Sequence, residues 1–184
     1  MTESSDYPTF DFDQVDFVTS DTHFSHAACL KFTLSDGVTP LRAFKSVEEM
    51  DETMVERWNK VVKPQDHVYH LGDVAMKREQ LRIVRKLNGH KRLIFGNHDI
   101  FEAKEYFNVG FEKMMGMRVL DGYIMTHVPI HPCSLGRFSR NIHGHLHATP
   151  SPGEPYISVC VEQIDYTPIS FEDLKKKYGQ YRNN

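Results

Sequence analysis

Short apolar runs, each closed by turn-forming residues, alternate along this chain with segments whose apolar positions recur every three or four residues. Val15–Asp16–Phe17–Val18–Thr19 has strand character and ends in Ser20–Asp21–Thr22–His23. Ser46–Val47–Glu48–Glu49 is a capping box that opens a helix to about Asn59, with Met50, Met54 and Trp58 as its buried stripe, widened by Val47 and Val55. His67–Val68–Tyr69–His70–Leu71 predicts a second strand closing on Gly72–Asp73. Alternation puts His67, Tyr69 and Leu71 on one face and Val68 and His70 on the other. Gln80, Leu81, Ile83, Val84 and Leu87 have helical period with Asn88–Gly89 as the stop, and Arg78, Arg82, Arg85 and Lys86 form a solvated opposite face. A third run, Arg92–Leu93–Ile94–Phe95, ends in Gly96–Asn97–His98–Asp99. The order strand–helix–strand–helix–strand predicts an α/β fold.

The second half changes character. Met117–Leu120 and Tyr123–Thr126, joined by Asp121–Gly122, predict a hairpin that leads into His127. Residues 130–140 are expected to form a loop containing His131, Arg137 and Arg140. An extended Asn141–His147 would put His143, His145 and His147 on one side, unless Gly144 bends the backbone and swings His143 away. Tyr156–Glu162 predicts another strand, and Ser170–Phe171–Glu172–Asp173 caps a final short helix whose lysines 175–177 suit the helix dipole.

With 184 residues and 40% hydrophobic content, the expectation is one domain over residues 1–184, led by a polar arm at 1–14. No run is long enough for a membrane span, and the acidic start resembles no signal peptide, so a cytoplasmic protein is expected. Cys29, Cys133 and Cys160 have no CxxC spacing and are expected to be reduced packing residues. Net charge is −3, with 12 acids against 5 bases in residues 1–62 and 7 against 11 in residues 63–118. Weak overall acidity argues against a DNA-coating protein, whose affinity comes from neutralising phosphates. It leaves room for a phosphate-bearing substrate held locally.

Histidine is the anomaly. Most of its 11 copies sit beside Asp, Gly or Asn at predicted strand ends, and ligands in α/β folds bind where strands end. Collected in order, the strand-end groups are Asp21, His23, Asp73, Asn97, His98, His127, His145 and His147. Asp21 and His23, straddling one residue of an extended turn, can chelate one ion. In the Gly96–Asp99 turn, Asn97 offers a metal-binding amide oxygen and His98 a group that moves a proton.

Read together, Asp21–Thr22–His23, Gly72–Asp73, Gly96–Asn97–His98–Asp99, His127 and Gly144–His145–Leu146–His147 resemble the calcineurin-like metallophosphoesterase superfamily over residues 15–165. Ser20–Phe24, Glu56–Asn59 and His70–Asp73 add a likeness to its small predicted phosphoesterases of bacteria and phages. The resemblance implies a β-sandwich flanked by helices, a four-layer α/β/β/α arrangement with a dinuclear metal site at one edge. By that likeness Asp21, His23 and His147 hold one divalent ion, Asn97, His127 and His145 hold the other, and Asp73 bridges them. Oxygen and nitrogen donors without thiolate suit manganese, iron, zinc or nickel. The implied chemistry is hydrolysis of a phosphodiester or nucleotide-type ester, by in-line attack of a hydroxide shared between the ions, with His98 as general acid.

Family members acting on phosphoproteins follow Gly-Asp with Asp-Arg-Gly, whereas this chain reads Gly72–Asp73–Val74–Ala75–Met76–Lys77. A small molecule, nucleotide or oligonucleotide is therefore the expected substrate. Arg137 and Arg140 are candidate phosphate clamps, and His26 and His131 candidate pocket lining. Two other functions are compatible with the superfamily: a metal-dependent nuclease, for which the basic segment 78–86 speaks, and a non-catalytic scaffold.

Overall fold

The computed structural model describes residues 14–179, so the polar arm expected over 1–14 lies, but for Gln14, outside the described residues. In chain order the elements begin with β1 (Phe17–Thr19), α1 (Val47–Val61), β2 (His67–His70), β3 (His90–Ile94), α2 (Ala103–Asn108) and β4 (Phe111–Met115). They continue with β5 (Arg118–Leu120), β6 (Tyr123–Thr126), α3 (Pro132–Leu135), β7 (Arg140–His143), β8 (Tyr156–Ser158), β9 (Ile169–Ser170) and α4 (Phe171–Tyr178).

Two sheets result. The first has order β4-β3-β2-β1-β9 and the second β5-β6-β7-β8. β1, β2, β3 and β4 are mutually parallel, with Phe17 opposite Val68 and His67 opposite His90, and β9 runs antiparallel to β1. β6, β7 and β8 are likewise parallel, and β5 joins β6 through the expected Asp121–Gly122 hairpin. Both turn residues have positive φ, 51° and 81°, which twists the loop to match its strands.

Alternation along β2 separates two cores. Val68 points into a cluster with Met50, Met54 and Trp58 of α1 and with Leu81, Val84 and Leu93. Tyr69 and Leu71 point the other way, into a layer shared with Val18, Ile94, Tyr123, Met125, Ile142 and Ile157 from both sheets. The far face of the second sheet packs Ile124 and Tyr156 against Leu135 of α3. Helices therefore cover both outer faces of two facing sheets, the expected α/β/β/α layering. No helix among the described residues is long and apolar enough to cross a membrane.

The elements depart from expectation where local pattern underdetermines them. Arg78–Lys86 is a 3₁₀ helix, with i→i+3 bonds such as Gln80 N to Lys77 O. Leu81, Val84 and Leu87 fall at three-residue steps, and that stripe serves a three-residue turn as well as an α-turn. The loop expected at 130–140 contains α3, started by Pro132 behind His131, whose ring accepts from Cys133 N. The strand expected to reach Glu162 stops at Ser158, and Val161–Gln163 is a 3₁₀ turn. At α1, Ser46 Oγ caps Glu49 N as expected, but the Glu49 carboxylate reaches back to Lys45 N rather than to Ser46 N.

Candidate metal centre

Parallel pairing brings the carboxyl ends of β1, β2 and β3 to one edge, and the same holds for β6 and β7. Asp21, Asp73 and Asn97 follow the first three strands; His127, His145 and His147 follow the other two. The first two turns lie side by side: Asp21 N donates to Gly72 O, His23 N to Asp73 O and Phe24 N to Val74 O, at 2.8–3.0 Å.

The backbone here takes a conformation that side-chain-bearing residues seldom adopt. Asp21, His23, Asp73, His145 and His147 have φ of 58°, 44°, 58°, 69° and 50°. Left-handed backbone at a non-glycine residue costs on the order of 1–3 kcal/mol and persists where surrounding structure enforces it, typically at functional sites. Close approach is enforced as well. A Cβ on Gly144 would lie 2.4 Å from Asp21 Oδ2, and one on Gly96 would lie 2.2 Å from Asp73 Oδ1.

The side chains converge accordingly. Asp73 Oδ2 lies 3.6 Å from His23 Nε2 and 3.4 Å from His127 Nε2, between the two rings. His23 and His147 stack at 5.1 Å, and His147 Nε2 is 3.9 Å from Asp21 Oδ1. Asn97 Oδ1 sits 2.9 Å from both His127 Nε2 and His145 Nδ1. His127 Nδ1 faces the carbonyl of Leu71 at 2.7 Å. A carbonyl only accepts, so Nδ1 carries a hydrogen, and Nε2 is the nitrogen that faces the cluster.

Two sets of ligand atoms, Asp21–His23–His147 and Asp21–Asp73–His127, lie within 4.8 Å of one another and could each hold a metal ion. The donor set fits such an ion in a further respect. Asp21 Oδ1 and both ring nitrogens of His23 are buried with no hydrogen-bond partner among the described residues. Buried polar atoms are rarely left so, and a coordinated cation satisfies Asp21 Oδ1 together with one of the two His23 nitrogens.

Electrostatics favours the ligating forms at His23 and Asp73, whereas at His127 and His147 burial is outweighed by the neighbouring carboxylates, which raise the imidazoles above their usual range. Burial drives the His23 imidazole well below its usual range, outweighing the pull of Asp73. Burial alone would raise Asp73, but its contacts with His127, the His98 N–H and His23 hold it below the ordinary carboxylate range. Neutral imidazole and ionised carboxylate are the ligating states.

The remaining sequence candidates divide. His98 is half-buried; its backbone N–H donates to Asp73 Oδ1 at 2.9 Å and its ring meets His23 edge-on at 5.6 Å. His26 lies 5.8 Å from the His23 ring. His131 is exposed just before α3, at its N-cap, and Arg137 is exposed with its guanidinium over Phe138. Arg140 is no phosphate clamp: it is buried at the start of β7, away from the strand end that carries His145, and it bonds to Glu154 and to the carbonyls of Tyr178 and Gly179. Of the cysteines, Cys29 and Cys160 are buried as expected, but Cys133 is exposed. His143 is turned away, bonding Gly144 O and Ser151 Oγ, because the extended backbone ends at Gly144.

Three contributors were not assigned from sequence. Asp99, the last residue of the Gly-Asn-His-Asp turn, accepts from Gly96 N, Asp73 N and Val74 N and so binds two loops together. Its position in that turn was the available signal. Arg42 and Glu162 form a fully buried pair behind the cluster, with Glu162 Oε1 also 3.0 Å from His147 Nδ1. Neither stands in any pattern that would mark it.

No protein-family model matches the chain. A loose likeness to the Pseudomonas putida nuclease MPE, at 21% identity and a TM-score of 0.45 over 71% of this chain and 60% of that one, carries no weight for activity. The crystal structure of AQ665 from Aquifex aeolicus, a protein of unknown function, superposes at a TM-score of 0.65 with 28% identity, covering 88% of this chain and 97% of that one. The uncharacterised protein MJ1445 of Methanocaldococcus jannaschii is 34% identical over 175 residues, spanning 87% of this chain and 89% of its own length. Shared identity over nearly the whole of both sequences means that this chain belongs to the family of MJ1445.

Proposed function

We propose that the protein is a metal-dependent phosphoesterase that hydrolyses a phosphodiester or nucleotide-type phosphoester. The observation that carries this reading is the place of Asp73 Oδ2, 3.6 Å from a nitrogen of His23 and 3.4 Å from one of His127, where a single carboxylate can serve two neighbouring ions. Asp21, His23 and His147 would hold one ion and Asn97, His127 and His145 the other, with Asp73 shared. When bound, such a pair supplies Lewis acidity to phosphoryl oxygens and lowers the pKa of water, the requirements of in-line phosphoester hydrolysis.

The protein's own groups supply the rest. Asp21 and Asp73 are the only carboxylates in the proposed ligand set, and Asn97 is neutral, so two dications leave a positive centre that draws a phosphate anion. Asn97 is exposed and His145 half-buried, which keeps the entrance open to a diester with two substituents. The His98 ring, half-buried beside His23, holds a proton and delivers it to the departing oxygen. His26, near His23, lines the approach.

The basic segment 78–86 adds little to a nucleic-acid reading, because Arg78 pairs with Glu105 and Arg85 with the carbonyl of Asn108. Manganese is the first metal to try. The test is turnover of bis-p-nitrophenyl phosphate, then of nucleoside mono-, cyclic, di- and oligonucleotides, with Mn²⁺ supplied. Turnover that a chelator abolishes and Asp73→Asn removes is expected. A protein that binds two ions per chain and cleaves none of these esters would overturn the reading.

A further inference from the structure

Behind His147 lies a buried device that the proposed chemistry does not itself use. The turn Val161–Gln163 presents two side chains to one residue. Glu162 Oε1 sits 3.0 Å from His147 Nδ1, and Gln163 Nε2 donates to His147 O at 2.6 Å and to Thr149 O at 2.9 Å. The same Glu162 oxygen takes Arg42 Nε at 2.8 Å and Nη2 at 2.7 Å. Arg42, 1% exposed, then reaches forward: Nη2 donates to Asp21 O at 2.6 Å and Nη1 to Thr22 O at 2.7 Å. One guanidinium therefore joins the backbone of the Asp21–His23 loop to the carboxylate that touches His147.

We infer that Glu162, held by Arg42, is a positioning residue that fixes His147 for a divalent cation. The inference rests on the proposed metal centre and extends it to residues 120 positions apart. A carboxylate that accepts Nδ1–H selects the tautomer whose Nε2 lone pair is free, orients the ring and raises its basicity as a ligand. His147 Nε2 is the nitrogen turned toward Asp21 Oδ1. A buried ion pair adds little net stability over apolar packing, so stability alone gives no reason for Arg42 and Glu162 to occupy this place. Their hydrogen bonds give one: they set the spacing between the loop that bears Asp21 and His23 and the loop that bears His147.

Calorimetric titration of the full chain with Mn²⁺ tests this. Two binding events are expected in the wild type. Glu162→Asp keeps a charge opposite Arg42 while withdrawing the oxygen from His147, and Glu162→Gln keeps the length while removing the charge. Each should weaken one event by about 10–100-fold, the usual effect of removing an outer-sphere partner, and leave the other within about 3-fold. In a His147→Ala background neither should cause further loss. Unchanged affinities, or losses that add in full to that of His147→Ala, would overturn the inference and leave the metal centre standing. A wild type that binds no divalent cation would overturn both. On the unmutated protein loaded with Zn²⁺, nitrogen-15 NMR should find His147 protonated at Nδ1; the Nε2–H tautomer overturns the inference without any variant.

Discussion

Asp99 Oδ2 accepts the backbone N–H of Asp73 at 2.7 Å, across 26 residues of chain, and the N–H of Gly96 at 2.9 Å. Together with Val74 N on Oδ1, this carboxylate closes the loops after β2 and β3 onto each other. Burial raises its pKa against the pull of those three N–H groups. Asp99→Ala strands buried donors, each costing about 1–3 kcal/mol. A loss of roughly 3–4 kcal/mol in urea unfolding is expected, with weaker Mn²⁺ binding in whatever protein remains folded.

His98 offers the opposite profile. Among the described residues its side chain makes no hydrogen bond that holds a loop, whereas its backbone N–H serves Asp73 whatever the side chain. His98→Asn should bind metal as the wild type does and lose about 10²–10⁴-fold in turnover, most for esters with poor leaving groups. Metal content and rate on nitrophenyl versus alkyl esters check this. Equal loss of metal and rate would remove His98 from proton transfer.

Gly144 and Gly116 form a matched pair. Neither has positive φ, so both tolerate an L side chain as backbone. A Cβ at 144 lies 2.0 Å from Ser20 Oγ and 2.4 Å from Asp21 Oδ2, whereas one at 116 meets nothing within 4 Å among the described residues. Gly144→Ala should abolish metal-dependent stabilisation and activity, and Gly116→Ala should leave both intact.

Metal removal should lower the melting temperature. An ion that binds only the folded chain at 100 times its Kd adds about 2.7 kcal/mol, which at this size corresponds to roughly 5–10 °C. Scanning calorimetry with Mn²⁺ and then with chelator reads the difference, and His23→Ala should erase it.

Acid should loosen the loop at Asp36 separately from the centre. The Thr39 hydroxyl and the N–H groups of Val38 and Thr39 hold this carboxyl below its usual 3.8. A folded-state pKa below the unfolded one gives stability that is present above about pH 4 and lost as pH falls through the folded value. The stability gap between wild type and Asp36→Asn should therefore be constant near neutrality and shrink below pH 4.

Much of the architecture was legible because strand ends announce themselves. Gly72–Asp73 and Gly96–Asn97 stop apolar runs with turn residues, and parallel pairing then determines which ends meet. Residues 103–115, which form α2 and β4, carried no comparable signal: Phe111–Glu112–Lys113–Met114–Met115 is a charged edge strand without clean alternation. The line of His143, His145 and His147 failed as an alternating face because left-handed φ at His145 and His147 belongs to the loop, not to the strand. Arg42 and Glu162 could not be found from sequence, since their meaning lies in a contact spanning 120 residues.

The proposed ligand cluster draws Asp21, Asp73 and Asn97 from one sheet and His127, His145 and His147 from the other. Cations seated there would act as rivets through two plates. Any slip of one plate against the other would pull the donor set apart before it disturbed either plate's own ladder, so the loaded protein should resist shear between its sheets in a way the empty one does not.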